Sequence, residues 1–136
     1  MRVSLGIQNN NPFNIKYNKF NRWKGLKGEN KGFCVFESMD YGIRAGVIIL
    51  RNYINKYNLT DVQSIIARWA PSSENPTSNY ISYVSSYLRS HNHTPDVIRT
   101  IHYDSFYSMC VAMLMFESWY RCSESDIIRV INKFKL

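Results

Sequence analysis

Cysteine is scarce in this sequence, and the three that occur, Cys34, Cys110 and Cys122, are an odd number without Cys-x-x-Cys spacing. Neither a disulfide framework nor a zinc knuckle is indicated, so we expect reduced thiols. Long apolar runs are also missing, because no segment approaches the length of a membrane span and the first residues lack the apolar stretch of a secretory signal. These absences predict a chain that is made in a cytoplasm and does not insert into a membrane.

Acidic residues are few as well. The chain has 17 Lys and Arg against 10 Asp and Glu, a net charge of +7. Such a balance favours a polyanionic partner, such as nucleic acid, a membrane surface or an anionic cell wall. Hydrophobic residues make up 45% of the chain and aromatic residues 15%, which excludes a disordered composition. We expect one folded domain over residues 1–136.

The hydrophobic pattern predicts an α+β fold that is mainly α. Two extended segments, 14–17 and 32–36, predict a small β hairpin around Trp23. The helix that follows Ser38 is apolar on nearly every side, so we expect it to be the central one. Further helices are predicted after the caps Asp61, Thr77 and Thr94, over 106–119 and over 125–134.

A cluster of asparagines, from Asn9 to Asn11, precedes Pro12 near the start of the chain. Amides are poor core and helix formers, and their side chains favour bonds to the local backbone. Such a cluster either holds a special loop or binds a ligand. Together with the aromatic hairpin it suggests a groove for a polar ligand rich in hydroxyl or amide groups.

The most apolar segment ends in a carboxylate, Glu117, between Phe116 and Trp119. Partial desolvation there would disfavour the ionised form and raise the pKa of Glu117, as a general acid near neutral pH requires. Two simpler alternatives exist: Glu117 points to water at a frayed helix end, or it pairs with Arg121 four residues on. Glu74, in a polar loop, is the second carboxylate without a complete structural explanation.

Histidine offers no metal site in this sequence. His91 and His93 lie in a predicted turn without a Cys or carboxylate pattern to complete a ligand set. We therefore interpret them as solvated loop residues and expect no metal and no organic cofactor.

Four uncommon motifs occur in order: Gly-Ile-x-Asn-Asn-Asn-Pro-x-Asn-Ile at 6–15, Trp-x-Gly at 23–25, Gly-Phe-x-x-Phe-x-Ser-x-x-Tyr-Gly-Ile-Arg-Ala at 32–45, and Trp-Ala-Pro-Ser-x-Glu-Asn-x-Thr-x-x-Tyr at 69–80. This pattern resembles a family of small phage and prophage proteins of gut bacteria, whose members are often labelled structural or virion proteins. Gln8 and Phe13 depart from the Arg and Gly usual in that family. The loss of the Arg bears on ligand contacts.

The segments around Asn11, Trp23 and Trp69 are also similar to substrate-groove segments of lysozyme-like glucosaminidases and lytic transglycosylases. In those families the catalytic Glu, in an Ala-x-x-x-Glu-Ser-like context, comes before the groove segments. Here Ala-Met-Leu-Met-Phe-Glu-Ser-Trp at 112–119 offers a similar context after them. We infer a circularly permuted arrangement.

These resemblances imply a lysozyme-like domain that cleaves the glycan strand of peptidoglycan, as an endolysin or a virion-associated lysin. Glu117 would be the general acid and Glu74 the candidate second carboxylate of a hydrolase, whereas a lytic transglycosylase needs no second carboxylate. The sugar would be held by the following residues: Asn11, Asn14, Trp23, Trp69 and Tyr80. Release from the host cytoplasm would need a holin or assembly with other virion proteins. The alternative is a non-catalytic virion, cell-wall-binding or nucleic-acid-binding protein.

Overall fold

The computed structural model describes residues 3–71 and 76–136, so the predicted catalytic residue Glu74 lies outside the described residues. The chain is 53% helical with one small antiparallel sheet, which confirms a mainly α member of the α+β class. In chain order the elements are α1 (Leu5–Gln8), β1 (Leu26–Asn30), β2 (Phe33–Phe36), α2 (Met39–Asn55), α3 (Val62–Trp69), α4 (Thr77–Ser90), α5 (Asp104–Ser118) and α6 (Glu124–Phe134).

The central helix is α5, not α2 as the sequence predicted. Of the 15 residues of α5, 11 are buried, and the helix packs against α1, α4 and α6. In α2 seven of 17 residues are buried, and its outer face carries polar side chains. An apolar run without charge from Met109 to Phe116 needs protein on all sides, which only a central position supplies.

The hairpin is formed by β1 and β2, so the prediction of a strand over 14–17 is wrong. Only Lys16 forms an isolated bridge, to Phe33. The pair Asn30 and Phe33 closes a two-residue turn in which Lys31 and Gly32 both have positive φ, at 53° and 87°. Such turns match the twist of two antiparallel strands. The turn therefore explains why β1 pairs with β2 although the sequence of β1 is polar.

The asparagine-rich loop lies directly against α2. A side chain at Gly42 would collide with the Asn10 carbonyl, and one at Gly46 with the Phe13 ring. These two glycines, one helical turn apart, form a flat strip on which the loop rests. Phe13, fully buried, fills the space above Gly46 and joins the hydrophobic core.

Three predicted helix starts have different outcomes. Asp61 caps α3 as predicted, by accepting a hydrogen bond from the Ser64 amide at 2.8 Å. Thr77 is the first residue of α4 and not its cap, because its hydroxyl donates to the Ala70 carbonyl at 2.6 Å. The helix predicted to begin at Thr94 does not form. The Pro95 carbonyl and the Ile98 amide instead bond to the chain at the start of α3.

In the described part of the chain, no helix is long and apolar enough to cross a membrane. All three cysteines are free thiols, and Cys34 and Cys110 are buried.

Candidate active site

Glu117 lies in the last turn of α5, where the carbonyls of a helix have no partner within the helix. Side chains from the start of the chain supply the missing donors. Asn14 Nδ2 donates to the Glu117 carbonyl at 2.9 Å, and Ser4 Oγ donates to the Ser118 carbonyl at 2.7 Å. The helix then ends at Trp119, which has the left-handed φ of 55°. The backbone beneath the carboxylate is therefore held by two contacts from residues more than 100 positions away in sequence.

The carboxylate itself is bonded to Trp69, whose indole Nε1 donates to Glu117 Oε2 at 3.0 Å. Burial raises the pKa of Glu117 above its ordinary value of 4.5, and the neighbouring polar groups of Trp69, Tyr80 and Asn14 lower it by less. Neither simpler alternative for Glu117 holds, because the side chain is partly buried and its partner is Trp69. The predicted desolvation of this carboxyl is confirmed.

Tyr80 lies behind the carboxylate, 1% exposed and stacked on Phe116 with ring centroids 4.0 Å apart. Its hydroxyl is buried and has no hydrogen bond within ordinary distance and angle limits. It is nevertheless close enough to Glu117 that, after burial itself, the carboxylate raises the pKa of Tyr80 well above its usual range. Tyr80 is thus buried behind Glu117 and does not reach a ligand, contrary to the prediction.

Glu117 opens into a cleft of about 440 Å³, a size typical of small-ligand sites. Its walls combine apolar and aromatic side chains with a few polar groups. The lining residues are Asn14, Ile15, Lys16, Phe33, Ile49, Tyr53, Trp69, Ala70 and Glu117. They come from the N-terminal loop, β2, α2, α3 and α5, so the cleft is formed where these five parts of the chain meet.

Two aromatic rings hold Trp69 in position. Phe13 and Tyr53 both meet the Trp69 ring edge to face, with centroids at 5.6 Å and 6.4 Å. Such contacts fix the plane of the indole and keep its N–H directed at Glu117. The sequence predicted Trp69 as a stacking surface, and the structure shows it as a hydrogen-bond donor to the Glu117 carboxylate.

The predicted binding residues are divided between the cleft and the interior. Asn14 and Trp69 line the cleft. Asn11 is fully buried, where it accepts from the Ile15 amide at 2.9 Å and donates to the carbonyls of Ile15 and Cys34 at 2.9 and 3.0 Å. Asn11 therefore shapes the loop from inside and does not reach a ligand, contrary to the prediction.

Trp23, the other predicted stacking residue, is partly buried against the core and is not among the residues that line the cleft. Its indole Nε1 is buried without a hydrogen-bond partner. The structure thus separates Trp23 from Trp69, which the sequence had expected to share a groove.

Several residues of the site were missed by sequence reasoning. A side chain at Gly6 would collide with Ser118 Oγ, so α1 touches the end of α5 only because position 6 is glycine. Tyr53 and Ile49 line the cleft from α2, and neither was singled out from the sequence as a site residue. The only available signal was the glycine spacing, Gly42 to Gly46, which indicates a close approach of another segment to α2.

Metal ligation has no support in the described residues, which contain no group of three His, Cys, Asp or Glu side chains able to hold an ion. His91 stacks on the Tyr87 ring, with centroids 4.1 Å apart, and its Nδ1 lies 2.9 Å from the Tyr87 carbonyl.

Comparison with known proteins gives one informative similarity. The chain is 45% identical over 88 residues to Protein P5 of Pseudoalteromonas phage PM2, in an alignment that covers 62% of this chain and 55% of that protein. The chain thus spans about half the length of the relative it matches, and it is similar to a phage protein. No protein-family model matches the chain.

Proposed function

We propose that this protein cleaves the glycan strand of peptidoglycan, with Glu117 as the general acid. The observation that carries the proposal is a carboxyl of raised pKa, fixed by Trp69, at the inner end of a cleft. A carboxyl of raised pKa holds its proton to higher pH and can give it to a glycosidic oxygen as the bond to the anomeric carbon breaks.

The chemistry of the cleft walls supports a sugar as the ligand. Pyranose rings present apolar C–H faces to aromatic walls, and Tyr53, Trp69 and Phe33 supply such walls here. N-acetyl and hydroxyl groups need amide and cationic partners, and Asn14 and Lys16 stand beside Glu117 in the lining.

Glu117 is the one carboxylate among the cleft residues of the described chain. A single acid suffices for a lytic transglycosylase, because a hydroxyl of the substrate attacks the anomeric carbon and returns its proton to the carboxylate. An inverting or retaining hydrolase needs a second carboxylate, for which Glu74 is the candidate. The two reactions leave different products, because transglycosylation gives an anhydro-sugar end and hydrolysis a reducing end.

The similarity to a phage protein suits a lysozyme-like enzyme that acts at phage entry or at host lysis. In the first case the partners are other virion proteins, and in the second a holin gives access to the wall from the host cytoplasm. Neither role needs insertion into the membrane.

The test is digestion of purified peptidoglycan followed by turbidity and mass spectrometry. The wild type should release fragments, and anhydro-sugar ends would identify transglycosylation. Glu117→Gln keeps the shape and the acceptor for Trp69 but removes the transferable proton, so the rate should fall by roughly 10² to 10⁴. Glu37→Gln, a matched change at an exposed carboxylate, should retain full activity.

A second function, non-catalytic binding within a virion or to nucleic acid, is supported by the net charge of +7. It would be preferred if the wild type left peptidoglycan intact and bound DNA tightly at physiological salt. If Glu117→Gln stayed active while Glu74→Gln was dead, the catalytic centre would instead belong to the 69–80 segment.

A further inference from the structure

The positive charge of the chain is concentrated in one segment. Residues 16–31 contain six basic side chains and one acidic side chain, Glu29, and thus carry five of the seven net charges. The six, here called the basic surface, are Lys16, Lys19, Arg22, Lys24, Lys27 and Lys31, and all of them are exposed. The remainder of the chain is close to neutral.

The basic surface is part of the folded hairpin and not a loose tail. The Tyr17 amide donates to the Gly32 carbonyl at 2.9 Å, and the Glu37 amide donates to the Gly25 carbonyl at 2.8 Å. Gly25 lies against the Tyr41 ring so closely that any side chain there would collide with it. These contacts join the segment to the residues that flank β2 and, through Tyr41, to α2, so its backbone is part of the folded body.

Further cations extend the surface at the Trp23 end. The Lys24 ammonium and the Arg44 guanidinium both lie 5.6 Å from the centre of the Phe134 ring, and the Lys133 ammonium lies 5.4 Å from it. Among these groups Lys133 is paired, with Asp40. Like charges gathered in this way repel one another unless an anion reduces the repulsion.

The opposite end of the basic surface meets the cleft, because Lys16 and its bridge partner Phe33 are both lining residues. The five residues of β1 span about 17 Å, so the segment that carries the basic surface is as long as a few sugar units. A polymer lying in the cleft would run past these charges if it continued in that direction.

We propose that the basic surface binds the peptide carboxylates that peptidoglycan carries along its glycan strand, next to the segment held in the cleft. This inference rests on the proposed function, since it takes the strand in the cleft to be peptidoglycan. The carboxylates belong to the same polymer as the bond to be cleaved, so their capture holds the strand in the cleft between cleavage events. Exposed charges act over about 10 Å and are screened by salt.

The experiment measures binding to purified sacculi in the Glu117→Gln background, so that the walls stay intact. The test variant is Lys19→Gln with Arg22→Gln and Lys27→Gln. The control variant is Lys56→Gln with Arg121→Gln and Lys135→Gln, three exposed cations elsewhere that give the same change in net charge. The test variant should bind roughly tenfold more weakly at low salt and the control variant nearly normally.

Three further arms identify the ligand. The Glu117→Gln protein should bind sacculi with amidated carboxylates as weakly as the test variant binds native sacculi. Equal loss of binding in the test and control variants, or unchanged binding to amidated sacculi, would overturn the proposal. Loss of binding only after hydrofluoric acid has removed the phosphate polymers from the sacculi would also overturn it. So would stronger binding to phosphatidylglycerol vesicles than to sacculi, through the exposed Phe20. Wild-type protein that binds through this surface yet releases no fragments would leave the docking proposal standing and refute the cleavage.

Discussion

Replacing Glu117 by Gln should stabilise the protein at neutral pH, which tests the state of the carboxyl without reference to any substrate. Two opposing contributions set the size of the effect. Partial burial of a polar group and one hydrogen bond to a charged group are each worth about 1 to 3 kcal/mol. Burial raises the pKa of Glu117 by more than the Trp69 hydrogen bond lowers it. The net cost of the ionised form is therefore on the order of 1 kcal/mol.

The pH dependence has a definite sign. A carboxyl whose pKa is raised by folding binds its proton more tightly in the folded protein, so stability falls as pH rises from the ordinary value of 4.5 through the folded value. Below about pH 4 both states are protonated and the Gln variant has no advantage. Above the folded pKa the advantage is complete, and it should raise the melting temperature by about 3 to 5 °C.

Thermal unfolding at several pH values measures this difference directly, with Glu37→Gln as the exposed control. The difference between the Glu117→Gln variant and the wild type should open as pH rises above about 4 and should stay constant once pH exceeds the folded pKa. The Glu37→Gln control should show no such opening. A Glu117→Gln variant that is less stable than wild type at pH 7 would mean that the carboxylate is held by more favourable contacts than Trp69 provides. The raised pKa, and with it the general-acid role, would then be wrong.

Two remaining predictions concern the scaffold. Asp40 accepts from Arg129 at 2.8 and 2.9 Å and from Lys133 at 2.8 Å, contacts that outweigh its desolvation and lower its pKa to about 2. Asp40→Asn should therefore cost on the order of 1 kcal/mol at pH 7 and progressively less as pH falls from about 4 to 2, or in 1 M salt, as denaturant titration can show. Gly46→Ala should cost about 1 to 3 kcal/mol because the new methyl meets the Phe13 ring, whereas Gly28→Ala, with open space around it, should cost little.

Helices with strong periodicity and a local cap could be predicted from sequence. Residues 62–69 illustrate this, because Asp61 bonds within its own turn and the apolar positions recur on one face. The helix expected after Thr94 failed for the opposite reason. Its backbone groups are used by the start of α3, through Val62 and Thr60, a tertiary contact that local propensity does not contain.

The site was predictable only in part. A carboxylate after an apolar helix indicates desolvation, so Glu117 could be selected from one segment alone. The role of Asn11 could not, because whether an amide faces a ligand or the backbone depends on where residues 15 and 34 lie in space. Tyr53 and Ile49 belong to the cleft only because the asparagine loop rests on Gly42 and Gly46, which turns the neighbouring face of α2 towards Glu117.

The permuted arrangement inferred from the sequence requires that the two ends of the chain meet, and the structure shows the contact that achieves this. Gly6 lets α1 approach Ser118, while Ser4 and Asn14 cap the last carbonyls of α5. The proposed acid thus comes from the last third of the chain and most of the other cleft residues from the first half, joined by bonds between side chains and backbone. Catalytic geometry depends on where side chains meet and not on the order in which the chain supplies them. The position of Glu117 after the groove segments is therefore compatible with a lysozyme-like role, provided that the contact between α1 and the end of α5 is intact.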